Sequence, residues 1–313
     1  MKNKIKIVLV GIGGVGGYFG GLLAKKYRNS DEVAVIFVAR GEHLKQIQKN
    51  GLKVIKGSDE FIAKPALATD NANDIGIADF IIFCTKNYDL EAAIAQLKPC
   101  IGEKTSLLPL LNGVDAVERI KKYLPNATIL QACVYIVSEL KKAGVIENSG
   151  NIQTLYFGLE QEINDQLLLF EKLLKDAHIE ASCSKNILSI VWEKFIFISA
   201  TATATAYFDT CIGALLKENQ TVVLKLIDEV TQIALAKGIK IDPQIAEKTL
   251  DKLKKLPYQT TTSMHRDYKN LNSQIEVMSL TGFVVTEGQS LNIETPVYKE
   301  MYEKLMSIKI NIL

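Results

Sequence analysis

The sequence predicts an α/β fold. A doubly wound parallel sheet with flanking helices occupies residues 1–185, and an all-helical domain occupies residues 186–313. Three observations predict it. In the first half, short apolar runs alternate with segments of helical spacing, the pattern of βαβ units. The runs are apolar nearly throughout, as in strands covered on both faces. After about residue 187 the strand signal nearly vanishes and helical spacing continues to the end.

The elements follow in order. IKIVLV (Ile5–Val10) reads as a buried strand, Gly17 to Arg28 as a helix, and EVAVIFVA (Glu32–Ala39) as a second strand. GEHLKQIQKNG reads as a helix closed by Gly51. LKVIK and EFIAKPALAT read as a pair of shorter strands. ADFIIFCTK (Ala78–Lys86) is a buried strand, DLEAAIAQLKP a helix, SLLPLLNG a strand ending in a turn, and ATILQACVYIV a further strand. Lys142 to Gly158 suggests a hairpin of two strands, followed by a helix in LEQEINDQLLLFEKLLKDA and a last strand in IEASCS. Helical spacing then recurs in ILSIVWEKFIFISATATATAYF, QTVVLKLIDEVTQIALAKG, PQIAEKTLDKLKKL, NSQIEVMSLTGFVVTEG and VYKEMYEKLMSI. SATATATA alternates with period two and locally favours a strand, but its apolar flanks and helical surroundings favour a helix.

Composition narrows the function class. The chain has 313 residues, 48% hydrophobic and 23% charged, enough for a sizeable core or two. A net charge of +2 supplies no field to attract nucleic acid or an anionic membrane. The five cysteines are scattered without CxxC spacing, so no metal cluster or disulfide framework is expected, and the thiols suit a cytosolic compartment. No secretory signal is expected at the N-terminus. The longest apolar stretch, Ile187–Phe208, is interrupted by Glu193, Lys194 and several threonines, so no membrane span is expected.

Seven glycines fall between Gly11 and Gly21. Gly11, Gly13 and Gly16 form G-x-G-x-x-G directly after a strand and at the start of a helix, the context of a Rossmann-type dinucleotide site. Gly11 permits the tight turn, Gly13 a close approach to pyrophosphate, and Gly16 close helix–strand packing. The loop Gly11, Ile12, Gly13, Gly14, Val15 and Gly16 is thus the candidate cofactor cradle. The alternative is a glycine-rich packing turn. At the end of the second strand, where NAD enzymes place an acid, FVARGEH presents Arg40, with Glu42 two positions on. A guanidinium suits a 2′-phosphate and favours NADP, unless Arg40 is an ordinary surface residue.

Lys86 in CTKNYD and Asn112 in LLNGVD follow strands at their carboxyl ends, where open α/β sheets bind ligands. Lys86 suits an anionic group, and Asn112 a ribose, a nicotinamide amide or a substrate. His43, His178 and His265 sit in no recognisable catalytic context. Lys194 does: IVWEKFIFI places a lysine in an otherwise apolar helix. Burial would lower its pKa and make it a usable acid, unless it snorkels to the surface beside Glu193.

GIGGVGGYFG, Arg40, CTKNYD, LLNGVD, GVIENSGNIQTLYFG, WEKF and SMHRD occur in this order over the whole chain. Together they resemble the ketopantoate reductase (2-dehydropantoate 2-reductase) family. The resemblance implies a Rossmann domain, a helical domain and a site in the cleft between them. It implies NADPH-dependent reduction of 2-dehydropantoate to (R)-pantoate, towards pantothenate and coenzyme A. It assigns the glycine loop to pyrophosphate, Arg40 to the 2′-phosphate and Lys86 to the nicotinamide end. It assigns Asn112 to cofactor and substrate, Lys194 to the general acid and Ser263 to the substrate carboxylate region. Asp267 matches an acidic position of the same motif.

The chain also departs from the family. Four and eight residues after Lys194, Ile198 and Ala202 replace family asparagines, leaving Thr201 as a candidate substrate contact on that stripe. Gln274 stands for a family glutamate in the cofactor site, Glu276 fits the next acidic position, and Asn148 stands where many members have histidine. The expected partner is a small 2-oxo acid, ketopantoate first and another such acid second. The non-enzymatic alternative is an NADP-binding sensor. Nucleic acid and membrane are not expected, and a homodimer is left open.

Overall fold

The computed structural model describes residues 4–160, 162–272 and 274–310. Met1 to Asn3, part of the terminus read for a signal segment, lie outside them. The chain divides into two units, one of residues 1–111 and 116–187, the other of residues 112–115 and 188–313.

The first unit begins with β1 (Ile5–Val10), α1 (Gly14–Lys26), β2 (Val33–Val38) and α2 (Gly41–Asn50). Next come β3 (Leu52–Lys56), β4 (Asp59–Ala63), β5 (Leu67–Thr69), β6 (Ala78–Phe83), α3 (Leu90–Leu97) and β7 (Ile101–Pro109). It ends with α4 (Ala116–Tyr123), β8 (Thr128–Ile129), β9 (Gln131–Lys142), β10 (Val145–Gly158), α5 (Asp165–Asp176) and β11 (Glu180–Cys183). Six strands pair in parallel in the order β5-β2-β1-β6-β7-β8. Both faces are buried, which is why the strands are apolar without alternation. Ile7, Leu9, Phe37 and Phe80 pack with Phe19, Leu23 and Phe170 of α1 and α5. Val8, Val10, Ile81 and Phe83 pack with Leu90, Ile94 and Ile120 of α3 and α4.

A second sheet of five strands lies on the other side of α1, with β10 at its centre. β9 pairs antiparallel along one edge of β10. β3 and β11 pair parallel with its two ends, and β4 closes on β3. Three readings of the sequence are corrected here. ATILQACVYIV divides between the sheets, β8 ending the first and β9 running in the second. EFIAKPALAT is not one strand: β4 joins the second sheet and β5 the first. The hairpin is not contained within 142–158: it is β9 with β10, turning at Gly144 (φ +77°).

Helix α1 lies between the sheets on two bare stripes. On one, a Cβ at Gly16 would fall 2.1 Å from the Gly11 carbonyl oxygen, and one at Gly20 3.0 Å from Leu9 and Phe37 side-chain carbons. On the other, a Cβ at Gly14 would fall 2.1 Å from the Ser138 carbonyl oxygen, at Gly17 2.5 Å from Ile146, and at Gly21 2.6 Å from Val54. Helix propensity alone disfavours such a glycine content; the close approach of two sheets requires it.

The second unit comprises α6 (Ile187–Tyr207), α7 (Ile212–Ala236), α8 (Ile245–Lys254), α9 (Ser263–Lys269), a π-helical turn at Met278–Gly282, α10 (Phe283–Leu291) and α11 (Pro296–Ile310). SATATATA is helical. Its alanines let neighbouring helices approach, while its hydroxyls are bonded: Ser199 to Tyr298 at 2.9 Å, Thr203 to Thr281 at 2.7 Å, and Thr205 to Thr262 at 2.8 Å. Trp192, Phe195 and Phe283 pack edge-on or tilted beside it. The buried Glu229 carboxylate of α7 accepts the Val297 and Tyr298 amides at 2.9 and 3.0 Å, capping α11 behind Pro296. Contrary to the sequence expectation, α6 is long and apolar enough to cross a membrane, but 67% of its most apolar window is buried inside the protein. It is the core helix of this unit, buried nearly all round.

The two kinds of loop glycine separate by substitution. Gly16→Ala should lower the melting temperature by about 5 °C, because backbone blocks the new methyl and overpacking costs about 1–3 kcal/mol. Gly13→Ala, where a Cβ meets nothing within 4 Å, should leave thermal denaturation unchanged.

Candidate active site

β1 ends at Val10, and the chain turns at Gly11 (φ +88°), whose amide donates to the Val38 carbonyl at 3.1 Å. A side chain at Gly11 would strike the Cys84 carbonyl at 2.9 Å, so the turn hugs the end of β6. Ile12 is buried. Gly13 is extended and caps α1 with no side-chain bond, and the first turn carries no acidic residue. The amides and positive dipole end of α1 are therefore offered to an anion, and the space beside Gly13 is open. These residues fit a dinucleotide pyrophosphate.

Arg40 follows β2 and stands at the N-cap of α2. Its side chain is 77% exposed, with Nη2 3.6 Å from the Asp89 carboxylate. An exposed pair of this length contributes little, so the guanidinium can turn to a phosphate. Glu42 instead accepts Gln46 Nε2 along its own helix at 2.8 Å. Lys86 is exposed at the head of the CTKNYD loop. That loop is held by Arg119, whose Nη2 donates to the Asn87 carbonyl at 2.6 Å while the guanidinium grips Glu91 with two bonds of 2.8 Å. This grip holds Glu91 below its ordinary carboxylate range.

Sequence reasoning missed Arg119 and also His43. The His43 Nε2 lies 2.7 Å from the Ile12 carbonyl, and its Nδ1 lies 2.9 Å from the Gly144 amide. A carbonyl only accepts and an amide N–H only donates, so the ring is neutral with its proton on Nε2. No motif flags this residue, because both its partners are backbone.

In the second unit Lys194 is buried in α6, 9% exposed, and its Nζ donates to Asn112 Oδ1 at 3.4 Å. Asn112 opens the short segment 112–115, which belongs to this unit and turns at Gly113 (φ +106°). Gly113 in turn lies against the π-helical turn: a Cβ there would be 3.4 Å from the Ser279 carbonyl. Such turns recur at functional sites. The structure thus brings Lys194 and Asn112 together.

Thr201, two turns beyond Lys194, is buried, and its hydroxyl donates to the Phe197 carbonyl. Ile198 is half-buried and Ala202 buried on the same stripe. Ser263 is exposed at the first position of α9. The preceding Thr262 caps that helix through the His265 amide at 3.2 Å and bonds Thr205 of α6, tying the start of α9 to the lysine helix. Asp267 accepts Asn272 Nδ2 at 2.7 Å. Gln274 is exposed and Glu276 buried. Asn148 is buried in β10, its Oδ1 accepting the Gly150 amide at 2.9 Å. Among the described residues no cluster of histidine, cysteine or acidic side chains has the makings of a metal site.

Two family models match the chain, one described as ketopantoate reductase PanE/ApbA over residues 7–161, the other as ketopantoate reductase PanE/ApbA C terminal over residues 186–309. The chain is similar to the solved structure of 2-dehydropantoate 2-reductase from Porphyromonas gingivalis W83, at 38% identity and a TM-score of 0.86, covering 97% of this chain and 100% of that one. It is 28% identical to the 2-dehydropantoate 2-reductase of Streptococcus pyogenes serotype M3, over 97% of each chain. It is 27% identical to the uncharacterized oxidoreductase YkpB of Bacillus subtilis, over 96% of this chain and 98% of that one.

Burial holds the His43 imidazole below its ordinary pKa of 6.5, outweighing the Ile12 carbonyl bond, which acts the other way. As pH falls below about 6.5 the unfolded chain binds its proton first, so stability is full above that pH and declines towards the folded-state value. Chemical denaturation of the wild type and of His43→Gln between pH 7.5 and 5 should show the acid-side loss shrinking in the variant.

Proposed function

The chain belongs to the ketopantoate reductase family, an oxidoreductase of the 2-dehydropantoate 2-reductase type, and on that premise we propose that it reduces a small 2-oxo acid, ketopantoate, to the 2-hydroxy acid with NADPH. One observation carries the reading: a buried lysine in an apolar helix donates to the side-chain carbonyl of Asn112. A lysine held in this way can deliver its proton to a reacting oxygen. The side-chain oxygen of Asn112 orients Nζ.

When bound, the reduced nicotinamide supplies hydride to the ketone carbon. The glycine loop from Gly11 to Gly16 binds the pyrophosphate and Arg40 the 2′-phosphate. Lys86 and Gln274 serve the cofactor, and Asn112 both cofactor and substrate. Lys194 donates its proton to the carbonyl oxygen as that oxygen becomes an alkoxide, and its positive charge stabilises the developing negative one. Ser263 holds the carboxylate end of the substrate, and Thr201, its proton already given to the Phe197 carbonyl, contacts the substrate without donating to it.

The stripe of α6 beyond Lys194 favours a second reading, in which the acid is another 2-oxo acid with an apolar side chain. Ile198 and Ala202 carry no polar group, and the Thr201 proton is committed to the Phe197 carbonyl.

Lys194→Ala should lower kcat by about 10²–10⁴-fold while the dissociation constant for NADPH, read by fluorescence titration, stays within twofold. An undiminished kcat would remove Lys194 from the proton transfer. Arg40→Ala should weaken NADPH about tenfold or more and leave NADH nearly unchanged. Equal losses would separate Arg40 from the 2′-phosphate.

A further inference from the structure

We infer that His43 is a positioning residue for the cofactor: through the Ile12 carbonyl it turns the Ile12–Gly13 peptide so that the Gly13 amide faces the dinucleotide pyrophosphate. The inference rests on the dinucleotide reading of the glycine loop and adds a residue outside that loop.

The argument begins with one peptide plane. No peptide bond among the described residues is cis. The carbonyl of Ile12 and the N–H of Gly13 therefore point in opposite directions across their shared plane. The carbonyl direction is known from two contacts. It accepts His43 Nε2 at 2.7 Å. It also lies 3.5 Å from where a Cβ on Gly17 would stand, on the stripe of α1 that faces Ile146 and the second sheet. The Gly13 N–H accordingly points away from the second sheet. Gly13 is the loop glycine beside which a Cβ would touch nothing within 4 Å, so an anion can approach it, and the amides of the first turn of α1 follow directly behind.

His43 can hold this peptide because its own ring is held. Nδ1 accepts the Gly144 amide at 2.9 Å, which fixes the tautomer that donates from Nε2. Gly144 is the turn of the β9–β10 hairpin (φ +77°), and the same hairpin meets the loop again where Ser138 Oγ donates to the Gly14 carbonyl at 3.0 Å. His43 stands in α2, three residues after Arg40. One side chain therefore links the helix that opens at Arg40, the glycine loop and the hairpin.

The two ring nitrogens separate by substitution. In His43→Gln the terminal amide reaches the Nε2 position and can still donate to Ile12. In His43→Asn the shorter amide reaches the Nδ1 position, can still accept from Gly144, and leaves the Ile12 carbonyl unheld. Isothermal titration with NADPH and with NADH should show His43→Gln within about threefold of the wild type. His43→Asn should be weaker by about tenfold, the loss of one oriented donor. Adenosine 2′-monophosphate, which has no pyrophosphate, should bind the wild type and both variants alike. Melting temperatures of the two variants should agree within a few degrees, and kcat at saturating NADPH should change less than twofold.

Unchanged dinucleotide affinity in His43→Asn overturns the inference. So does an equal loss in both variants, or a loss for adenosine 2′-monophosphate matching that for NADPH. A wild type that binds neither NADPH nor NADH overturns the dinucleotide reading itself rather than the role of His43.

Discussion

The first unit depends on how closely one helix can approach two sheets. α1 has no side chain at five positions where a methyl group would overlap its neighbours, two towards the parallel sheet and three towards the second. That approach places the start of the helix against the end of β6 and against Ser138 of the hairpin. The free amides of its first turn are thereby fixed by packing on both sides before any ligand arrives. Preorganisation of this kind removes an ordering cost from binding. Gly13 stands apart, because the space beside it is open rather than filled. Within one short stretch, glycine serves close packing at most positions and access at one.

The second unit solves a different problem, which is to keep a lysine inside an apolar helix. α6 is buried nearly all round, and its hydroxyls are consumed by bonds to Tyr298, Thr281, Thr262 and the Phe197 carbonyl. These bonds hold the helix in place. The amide oxygen of Asn112 meets the Nζ, and Gly113 and the π-helical turn support the segment that carries it. A lysine so placed has a fixed direction and little competing solvation, which suits the proton transfer proposed for it.

Much of this was legible in the sequence. The glycine loop sits between an apolar run and a helical one, Arg40 follows the second strand, and Lys194 interrupts an apolar helix. Other features were hidden for physical reasons. The second sheet depends on pairings between distant segments, such as Lys53 with Val145, and no local pattern announces them. β4 of this sheet and β5 of the parallel sheet are both short and follow each other closely in the chain, so they read as one. The alternation in SATATATA mimics a strand because the hydroxyls that stitch the helices happen to fall on every second residue. His43 bonds only to backbone, which carries no residue identity for a motif to record. Arg119 works on residues 28 and 32 positions before it, Glu91 and Asn87.

The most direct measurement is kcat/KM for NADPH-dependent reduction of ketopantoate beside 3,3-dimethyl-2-oxobutanoate, the same acid without its terminal hydroxyl. A site that bonds a substrate hydroxyl rejects the analogue lacking it by about 10⁴-fold or more, whereas the Lys194 stripe of α6 carries no donor to spare. The proposed reading predicts that both acids are reduced, with values within roughly a hundredfold of each other. Failure of both acids to consume NADPH would contradict the account.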